Sequence, residues 1–344
     1  MTLPRRHFKN PKAGHDFLGR SCSIASVGSY LPSRVVTNAD LEKLVDTSDE
    51  WITSRTGIRE RRIAAANEFT SDLGAKAALN ALGKAGLKSE QIDLLITATI
   101  TPDMPFPSAA CLIQQKIGAT RAAAFDIQAA CSGFVFGLEI GSQFITSRTC
   151  ETVLVVGAEK LSSIIDWSDR NTCVLFGDGA GAAILQSQPS SHGLLTACMG
   201  SDGSRAELLC MPGGGSRRPT SAETVAARLH FLRMDGKETY KSAINAMFTA
   251  AQEALRRCEL DITQIKCIIP HQANRRIIDA VAERLGARHD QLFTNLERYG
   301  NTSAASVAIA LDEAVESGRI QRGDLVLLVV FGAGLTWGAV VIEW

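Results

Sequence analysis

The chain has 344 residues, which is enough for two domains or for one large duplicated domain. Hydrophobic residues make up 45% and charged residues 21%, a composition typical of a globular protein and not of a disordered one. Basic and acidic residues balance at 36 each, which argues against a nucleic-acid partner, and the nine cysteines form no C-x-x-C pair, which argues against a zinc site or a disulfide framework.

The N-terminal segment MTLPRRHFKNPKAGHDFLGR is basic and lacks the apolar core of a secretory signal. We therefore expect residues 1–23 to be an extension that precedes the folded part. The longest strongly apolar run, LVLLVVFGAGL, contains two glycines and is too short to span a membrane. Together with the scattered thiols, these features predict a cytoplasmic protein without a membrane span.

Four short apolar runs predict buried strands, and helical patterns lie between them. The runs are LLITATI from Leu94, VLVVGAE from Val153, CIIPHQAN from Cys267 and LVLLVVFG from Leu325. The segments AACLIQQKIGA and RRIIDAVAERLGA have the periodicity of helices. Strands that alternate with helices indicate an α/β architecture with largely buried sheets.

The order of elements repeats in the second half of the chain, which indicates a duplicated fold. Leu94 and Cys267 open comparable strands 173 positions apart, and Gly157 and Gly332 close comparable strands 175 positions apart. The glycines of KIGA and RLGA are 168 positions apart. The predicted halves are 24–190 and 191–344.

Cys131 opens a helical segment in the stretch IQAACSGFVFGLEIGSQF, with small residues on both sides. The positive end of a helix dipole lowers the pKa of a thiol, so this position favours a nucleophile. A small buried core residue is the competing interpretation. A shift of 173 positions leads from Cys131 to Ala304 in RYGNTSAAS, a segment that also opens a helix.

In a pseudo-twofold arrangement these two helix starts would face each other between the halves, where binding sites usually lie. A catalytic cysteine needs a base or a cation that the fold brings near it. His271, at the end of a buried strand in IIPHQANRR, and Asn301, before the second helix, complete such a set with Cys131.

Several motifs together resemble the β-ketoacyl-acyl-carrier-protein synthase III family, the initiating condensing enzymes of bacterial-type fatty-acid synthesis. They are AACSGF, PHQANRR, YGNTSAAS, FGDGAGAA and FGAGLTWG, with the earlier segments GSYLPSRVVTNADLEKLVDTSDEWITSRTGIRERRIA and FPSAACLIQ. The resemblance runs from about Ile24 to Trp344 and implies a thiolase-like duplicated fold with five αβαβα layers, and a homodimer. It implies a decarboxylating Claisen condensation of an acyl-CoA primer, usually acetyl-CoA, with malonyl-acyl carrier protein to give 3-oxoacyl-carrier protein, CO2 and CoA.

The resemblance also implies the chemical role of each site residue. Cys131 would carry the acyl group, and the backbone N–H groups of Cys131 and Ala333 would form the oxyanion hole. His271 and Asn301 would donate hydrogen bonds to the enolate that decarboxylation develops. The asparagine distinguishes this set from the Cys-His-His set of elongating synthases and from the second cysteine of thiolases.

Further residues match substrate contacts of the family. A Trp and an Arg four positions apart in EWITSRTG share one helical face and resemble the stack and phosphate contact of CoA, with a surface cation–π pair as the alternative. The implied CoA and pantetheine contacts are Trp51, Arg55, Arg170, Gly236 and Asn274. The implied carrier-protein contacts, for which a solvated helix face is the alternative, are Gln272, Ala273, Asn274, Arg275, Arg276 and Arg284. The implied primer pocket, for which core packing is the alternative, comprises Leu161, Phe176 and, from the neighbouring subunit, Phe106.

The glycine-rich stretch FGDGAGAAIL lacks G-x-G-x-x-G spacing, so we interpret it as strand, turn and strand and not as a dinucleotide loop. We expect no metal and no redox cofactor, because metal-ligand spacing is missing too. The expected partners are acyl carrier protein, acyl-CoA and a second copy of the chain. Two alternatives stay open: an acyl-cysteine acyltransferase of secondary metabolism with another acceptor, and a non-catalytic scaffold that binds carrier protein.

Overall fold

The computed structural model describes residues 21–188 and 193–344. Residues 1–20 of the predicted extension 1–23 lie outside the described residues. The first strand begins at Ser21, so the last three positions of the predicted extension belong to this strand. The predicted boundary between the halves, at 190 and 191, lies outside the described residues too.

The described strands are β1 (Ser21–Tyr30), β2 (Arg34–Thr37), β3 (Glu60–Ile63), β4 (Leu94–Ala98), β5 (Ala123–Ile127), β6 (Thr152–Glu159), β7 (Gly179–Gln188), β8 (Gly193–Ser201), β9 (Leu209–Cys210), β10 (Arg233–Met234), β11 (Cys267–Pro270), β12 (Leu325–Gly332) and β13 (Thr336–Glu343). The described α-helices are α1 (Asn38–Leu41), α2 (Asp49–Thr56), α3 (Thr70–Ala85), α4 (Ala109–Ile117), α5 (Gly133–Thr146), α6 (Arg170–Cys173), α7 (Ala222–Ala226), α8 (Gly236–Arg257), α9 (Arg275–Leu285), α10 (Leu296–Tyr299) and α11 (Ala305–Glu316). All four predicted buried strands are present, as β4, β6, β11 and β12.

The two main sheets have the same topology over four strands, and the first sheet has β5 as an additional edge strand. The first has the order β1-β7-β6-β4-β5 and the second has the order β8-β13-β12-β11, with β4 parallel to β6 and β11 parallel to β12. Leu94 pairs with Val153 in the first sheet, and Cys267 pairs with Val326 in the second, so both strands keep the offset of 173. The predicted equivalence of Gly157 and Gly332 is wrong by two residues, because the offset of 173 makes Gly332 the equivalent of Glu159.

Helices cover both sheets and fill the space between them. Residues of α5 and α11 share one buried cluster with strands of both sheets. Helices α3 and α4 pack on the outer face of the first sheet, and α8 and α9 pack on the outer face of the second. The resulting layers are αβαβα, so the predicted thiolase-like duplicated fold is confirmed.

Glycines let the central helices approach the sheets closely. Gly137 and Gly141 lie one turn apart on α5, and a Cβ atom there would lie only 2.7 Å from Val155 Cγ1 and 2.8 Å from Leu185 Cδ1. This close packing fixes the start of α5, where Cys131 lies.

The stretch FGDGAGAAIL forms one strand, β7, after an irregular approach, so the predicted strand-turn-strand is wrong. The carboxylate of Asp178 accepts hydrogen bonds from the backbone N–H groups of Ala64 and Ser162, which anchors this approach against two other segments. A Cβ atom at Gly181 would lie 2.4 Å from the Cβ of Ala308, so the absence of a side chain at this position allows α11 to pack closely against β7. Among the helices of the described ranges, none is both long enough and apolar enough to cross a membrane.

Candidate active site

Cys131 lies in a short 3-10 helix, Ala130–Ser132, that leads into α5. The residue is buried, with 6% of its surface exposed. Burial raises the pKa of its thiol to about 12, the negative charge of Glu159 acts in the same direction, and a contact with the Ser303 hydroxyl opposes both. The pKa is thus raised where the helix start predicted a lowered one, because burial removes water from the thiol.

His271 follows β11 and is held by the fold on two sides. Its backbone N–H donates to the carbonyl of Val329 at 2.8 Å, and its Nδ1 lies 2.7 Å from the hydroxyl oxygen of Ser306 at the start of α11. Burial lowers the pKa of His271 to about 4, so its imidazole is neutral at pH 7. With Nδ1 bound to Ser306, Nε2 is the ring nitrogen left for a substrate.

Asn301 has an amide orientation that a backbone contact defines. Its Oδ1 accepts a hydrogen bond from the N–H of Ser303 at 2.8 Å, and its own N–H donates to the carbonyl of Leu175 at 2.8 Å. Because the amide oxygen is used in this way, the NH2 group remains as the donor that Asn301 can offer.

Two cavities meet at Cys131. The larger, which we call the channel, has a volume of about 590 Å³ and is lined by Cys131, His271 and Asn301. The smaller, which we call the chamber, has a volume of about 360 Å³ and is lined mainly by apolar side chains. Cys131, Phe176 and Leu209 line both cavities, so the thiol lies where a ligand in the channel would meet a group held in the chamber.

The segment after β12 lies against the backbone of Cys131. A Cβ atom on Gly332 would come within 2.7 Å of the Cys131 nitrogen, so only glycine allows this approach. The Thr336 hydroxyl donates to the carbonyl of Ala129 at 2.8 Å and joins the two segments. Ala333 lines the chamber beside Cys131, which places both predicted oxyanion-hole residues at the same wall.

Comparison with known proteins identifies the family of the chain. Models of the 3-oxoacyl-[acyl-carrier-protein (ACP)] synthase III family match residues 125–203 and, for its C-terminal part, 255–344. A β-ketoacyl-[acyl-carrier-protein] synthase III from Caldanaerobacter subterraneus subsp. tengcongensis is 55% identical over 324 residues, which cover 94% of this chain and 98% of the relative. The chain belongs to the β-ketoacyl-acyl-carrier-protein synthase III family.

Solved structures agree with the membership in the synthase III family. The 3-oxoacyl-[acyl-carrier-protein] synthase III of Aquifex aeolicus VF5 is 47% identical, with a TM-score of 0.88 over 95% of this chain and all of the other. The priming β-ketosynthase of the R1128 polyketide biosynthetic pathway is 36% identical, with a TM-score of 0.88 over 94% of this chain and 96% of the other. The chain is therefore a condensing acyltransferase with the fold of synthase III.

The structure places four of the five predicted CoA-binding residues along the channel, and the fifth, Arg170, next to them. Trp51 and Arg55 line the channel, and the guanidinium carbon of Arg55 lies 4.9 Å from the centre of the indole ring. The guanidinium of Arg170 lies over the same ring at 4.8 Å. Asn274 and Gly236 also line the channel, and the Asn274 amide donates to the carbonyl of Arg55 at 3.1 Å.

The predicted carrier-protein residues separate into different environments. Gln272 is 1% exposed and its amide bonds to the carbonyl of Pro270 and the N–H of Asn295, so it supports the loop and its prediction as a docking contact is wrong. Arg275 pairs with Asp279 at 2.7 Å.

The remaining docking residues lie at or beyond the channel mouth. Ala273 lines the channel. Arg276 is exposed at the mouth and, among the described residues, has no ion pair. Arg284 lies farther along α9, where it donates to the Asn245 side chain at 2.6 Å.

The three predicted primer-pocket residues differ in burial and position. Leu161 and Phe176 are buried and line the chamber with Cys131. Phe106 is 83% exposed and contacts neither the chamber nor the channel of its own chain. The structure thus places two of the three at the chamber and leaves the third at the surface.

Sequence reasoning missed two polar residues next to the nucleophile, Ser303 and Glu159. The Ser303 hydroxyl donates to the Glu159 carboxylate at 3.0 Å and lies beside the Cys131 thiol. A signal was present for Glu159, since a glutamate that ends the apolar run VLVVGAE must find partners within a buried sheet.

Proposed function

We propose that the chain condenses an acyl-CoA primer, acetyl-CoA in the simplest case, with malonyl-acyl carrier protein and so initiates fatty-acid synthesis. One observation carries the proposal: a buried thiol, a neutral imidazole and an oriented amide line one channel, and the thiol also faces an apolar chamber. The relatives from Caldanaerobacter subterraneus subsp. tengcongensis and Aquifex aeolicus VF5 are named synthase III, which supports the proposal.

Acyl transfer comes first in the proposed reaction. The thiolate of Cys131 attacks the primer thioester, the carbon–sulfur bond to CoA breaks, and the acyl chain lies in the chamber. The oxyanion accepts hydrogen bonds from the N–H groups of Cys131 and Ala333, and such a donor contributes about 3 kcal/mol to stabilising a transition state.

Decarboxylation and condensation follow in the same channel. When malonyl-acyl carrier protein loses CO2, negative charge develops on its thioester oxygen, and neutral donors stabilise it. Nε2–H of His271, with the Ser306 hydroxyl donating to Nδ1, and the NH2 of Asn301 are those donors. The carbanion then attacks the acyl-cysteine, the carbon–sulfur bond to Cys131 breaks, and 3-oxoacyl-carrier protein leaves.

The two substrates share the channel. The ring of Trp51, the guanidinium groups over it and the pantetheine contacts Gly236 and Asn274 would hold CoA. The exposed Arg276 would meet the acidic surface of the carrier protein.

We also propose that two copies form a homodimer through the free edge of the first sheet. Strand β5 ends that sheet, and its residues are partly or fully exposed. Phe106, exposed on the loop that precedes α4, would then close the chamber of the other subunit. Sedimentation of the parent chain and of a Phe106→Ala variant, with primer KM for both, tests this arrangement.

The same proposal requires neither a metal nor a redox cofactor and places the protein in the cytoplasm. Within residues 21–188 and 193–344, no three His, Cys, Asp or Glu side chains are placed to hold a metal ion, and all nine cysteines are free thiols. We expect full turnover after chelation and desalting, and recovery of lost activity by an added metal would contradict this.

The decisive experiment compares acceptors. The chain is first loaded with radiolabelled acetyl-CoA. It is then mixed, in separate reactions, with malonyl-acyl carrier protein, with malonyl-CoA, or with an amine or alcohol acceptor. Labelled 3-oxoacyl-carrier protein with one CO2 per acyl group is the expected result. Transfer to another acceptor without CO2 release would favour a secondary-metabolism acyltransferase.

A further inference from the structure

A buried carboxylate lies behind Cys131, and the reaction described above does not use it. Glu159 ends β6 and has 0% of its surface exposed. Its Oε2 accepts hydrogen bonds from the Thr101 hydroxyl at 2.6 Å, the Thr99 hydroxyl at 3.1 Å and the Ile100 N–H at 3.1 Å. Within the described ranges all its hydrogen-bond partners are neutral, so no cation balances its charge.

The other carboxylate oxygen connects Glu159 to the nucleophile. Its Oε1 accepts a hydrogen bond from the Ser303 hydroxyl at 3.0 Å, and that hydroxyl also contacts the Cys131 thiol, with which it lines the chamber. Ser303 is 1% exposed and has φ +49°, a left-handed conformation that is uncommon outside glycine. This backbone position holds the hydroxyl between a thiol and a carboxylate.

Other ionisable groups nearby have their own partners. The ammonium of Lys160, next in sequence to Glu159, donates to the carbonyls of Ala65 and Glu68. Asp178 is bound by Ser162, and His271 is bound by Ser306. Among the residues described, Cys131 is thus the titratable side chain that interacts with Glu159 through Ser303.

Acyl transfer needs a base that can accept the thiol proton. His271 is a weak base, since burial lowers its pKa to about 4 and Ser306 occupies its Nδ1. Burial raises the pKa of Glu159 to about 7, against the opposing effect of its hydrogen bonds, and a base is most effective when its pKa lies near the working pH.

We propose that Ser303 and Glu159 form a proton relay that takes the proton of Cys131 during acyl transfer and returns it during condensation. The relay rests on the proposed function, because it serves that reaction. Ser303 touches the reacting sulfur, and Glu159 acts through Ser303.

The relay balances the protons of both steps. In acyl transfer, the thiol proton moves to Ser303 Oγ while the Ser303 proton moves to Glu159. Cys131 Sγ bonds to the acyl carbon, and CoA leaves as a thiolate that takes a proton from solvent. In condensation, the bond between the acyl carbon and Cys131 breaks, and the thiolate regains its proton from Glu159 through Ser303. One solvent proton is consumed per turnover, as required when a malonyl carboxylate becomes CO2.

The test measures the rate of labelled acyl-enzyme formation from acyl-CoA alone between pH 6 and 9. For the parent chain we expect a rate that rises as Glu159 ionises and becomes constant above about pH 8. Glu159→Gln and Ser303→Ala should load about 10²–10⁴-fold more slowly, the usual contribution of a general base. Their rates should keep rising with pH, because only the unassisted thiol ionisation remains.

Two further variants separate chemistry from packing. Glu159→Asp keeps a carboxylate and should recover part of the rate and a plateau in the pH profile. Ser26→Ala is the matched control, because Ser26 is also a buried serine, with its hydroxyl bound to the Ala81 carbonyl at 2.8 Å, and it lies outside the site. We expect this control to load at the parent rate.

The outcomes distinguish the relay from the function on which it rests. A parent chain that forms no acyl-enzyme would overturn the proposed function and the relay together. A Glu159→Gln variant with slower loading but the parent's pH profile would overturn the relay alone. Loading of both relay variants at the parent rate would do so too.

Discussion

The two halves of the chain have one fold, but they supply different groups to the site. Ala130 and Ser303 lie 173 positions apart and both adopt left-handed backbone, with φ of 47° and 49°, just before the central helices. The next residue is Cys131 in the first half and Ala304 in the second. Duplication thus produced two equivalent helix starts, of which one carries the nucleophile and the other surrounds it with polar groups.

The same register shows how each half supports the other. At the end of β6, Glu159 bonds to Ser303 of the second half. At the equivalent end of β12, Gly332 leaves room for the backbone of Cys131 in the first half. The specialised groups therefore lie at the contact between the halves, and neither half contains a complete site.

The largest effect should come from removing the nucleophile of the first half. Cys131→Ala should form no labelled acyl-enzyme from acyl-CoA, because no other residue within 21–188 and 193–344 lines both cavities with a thiol. Release of CO2 from malonyl-carrier protein should persist, since His271 and Asn301 belong to the second half. Acyl-enzyme that survives in Cys131→Ala would show that another residue is the nucleophile.

The converse change removes a donor of the second half. Asn301→Ala should lower the rate of CO2 release about 10²–10³-fold, the usual loss for one preorganised donor to an oxyanion. Loading of Cys131 should change less than tenfold, although Ser303 N–H loses its acceptor. Acyl-enzyme formation and CO2 release are measured on the same variant. An Asn301→Ala enzyme that loads poorly but releases CO2 at the parent rate would contradict the assignment of decarboxylation to the second half.

A smaller effect should follow from crowding the contact between the halves. A Cβ atom at Gly332 would lie 2.7 Å from the Cys131 nitrogen, and one at Gly157 would lie 2.6 Å from the Ala304 carbonyl oxygen. Each change to alanine should lower the free energy of unfolding by about 1–3 kcal/mol. Gly332→Ala should also slow loading more than Gly157→Ala does, because it displaces an N–H of the oxyanion hole.

Denaturant unfolding and burst kinetics on the same samples provide the comparison. Gly203→Ala is the control, since a Cβ atom there would meet nothing within 4 Å. If Gly332→Ala were as stable and as fast as this control, the close approach of the two halves at Cys131 would be wrong.

The sequence predicted the fold well because its signals are local. Apolar runs marked β4, β6, β11 and β12, and equal spacing between them revealed the duplication. The same spacing led from Cys131 to the second helix start, so the order of residues along the chain was enough to group the thiol with His271 and Asn301.

The remaining features depend on packing, which no spacing reveals. The pKa of Cys131 is raised because other layers exclude water from it, whereas the sequence showed only the helix start. Gln272 is buried by its contact with Asn295, although it lies in a motif that also contains exposed residues. The contact between Glu159 and Ser303 joins residues 144 positions apart on different halves, and the separate motifs gave no reason to connect them.

The smallest effect that we predict concerns a difference between equivalent outer helices. In the first half, the Asp126 carboxylate accepts hydrogen bonds from the first two N–H groups of α4, and no basic residue lies in that turn. In the second half, α9 begins with Arg275 and Arg276, and Arg276 is exposed at the channel mouth. Docking of an acidic carrier protein should therefore use the second half only.

Arg276→Glu should raise the KM for malonyl-carrier protein about tenfold while the rate of loading from acyl-CoA stays nearly unchanged, because a rim charge mainly controls association with an oppositely charged partner. The difference from the parent should shrink as salt rises, since exposed charges are screened. Arg256→Glu is the matched control: this exposed arginine lies on α8 about 30 Å from the channel end of that helix, at 1.5 Å per residue, and it pairs with Glu253.

Because Arg276 also lines the channel, the measurement must separate the two substrates. An equal rise in KM for acyl-CoA and for malonyl-carrier protein would assign Arg276 to the shared channel, and docking would then have to depend on another part of the surface.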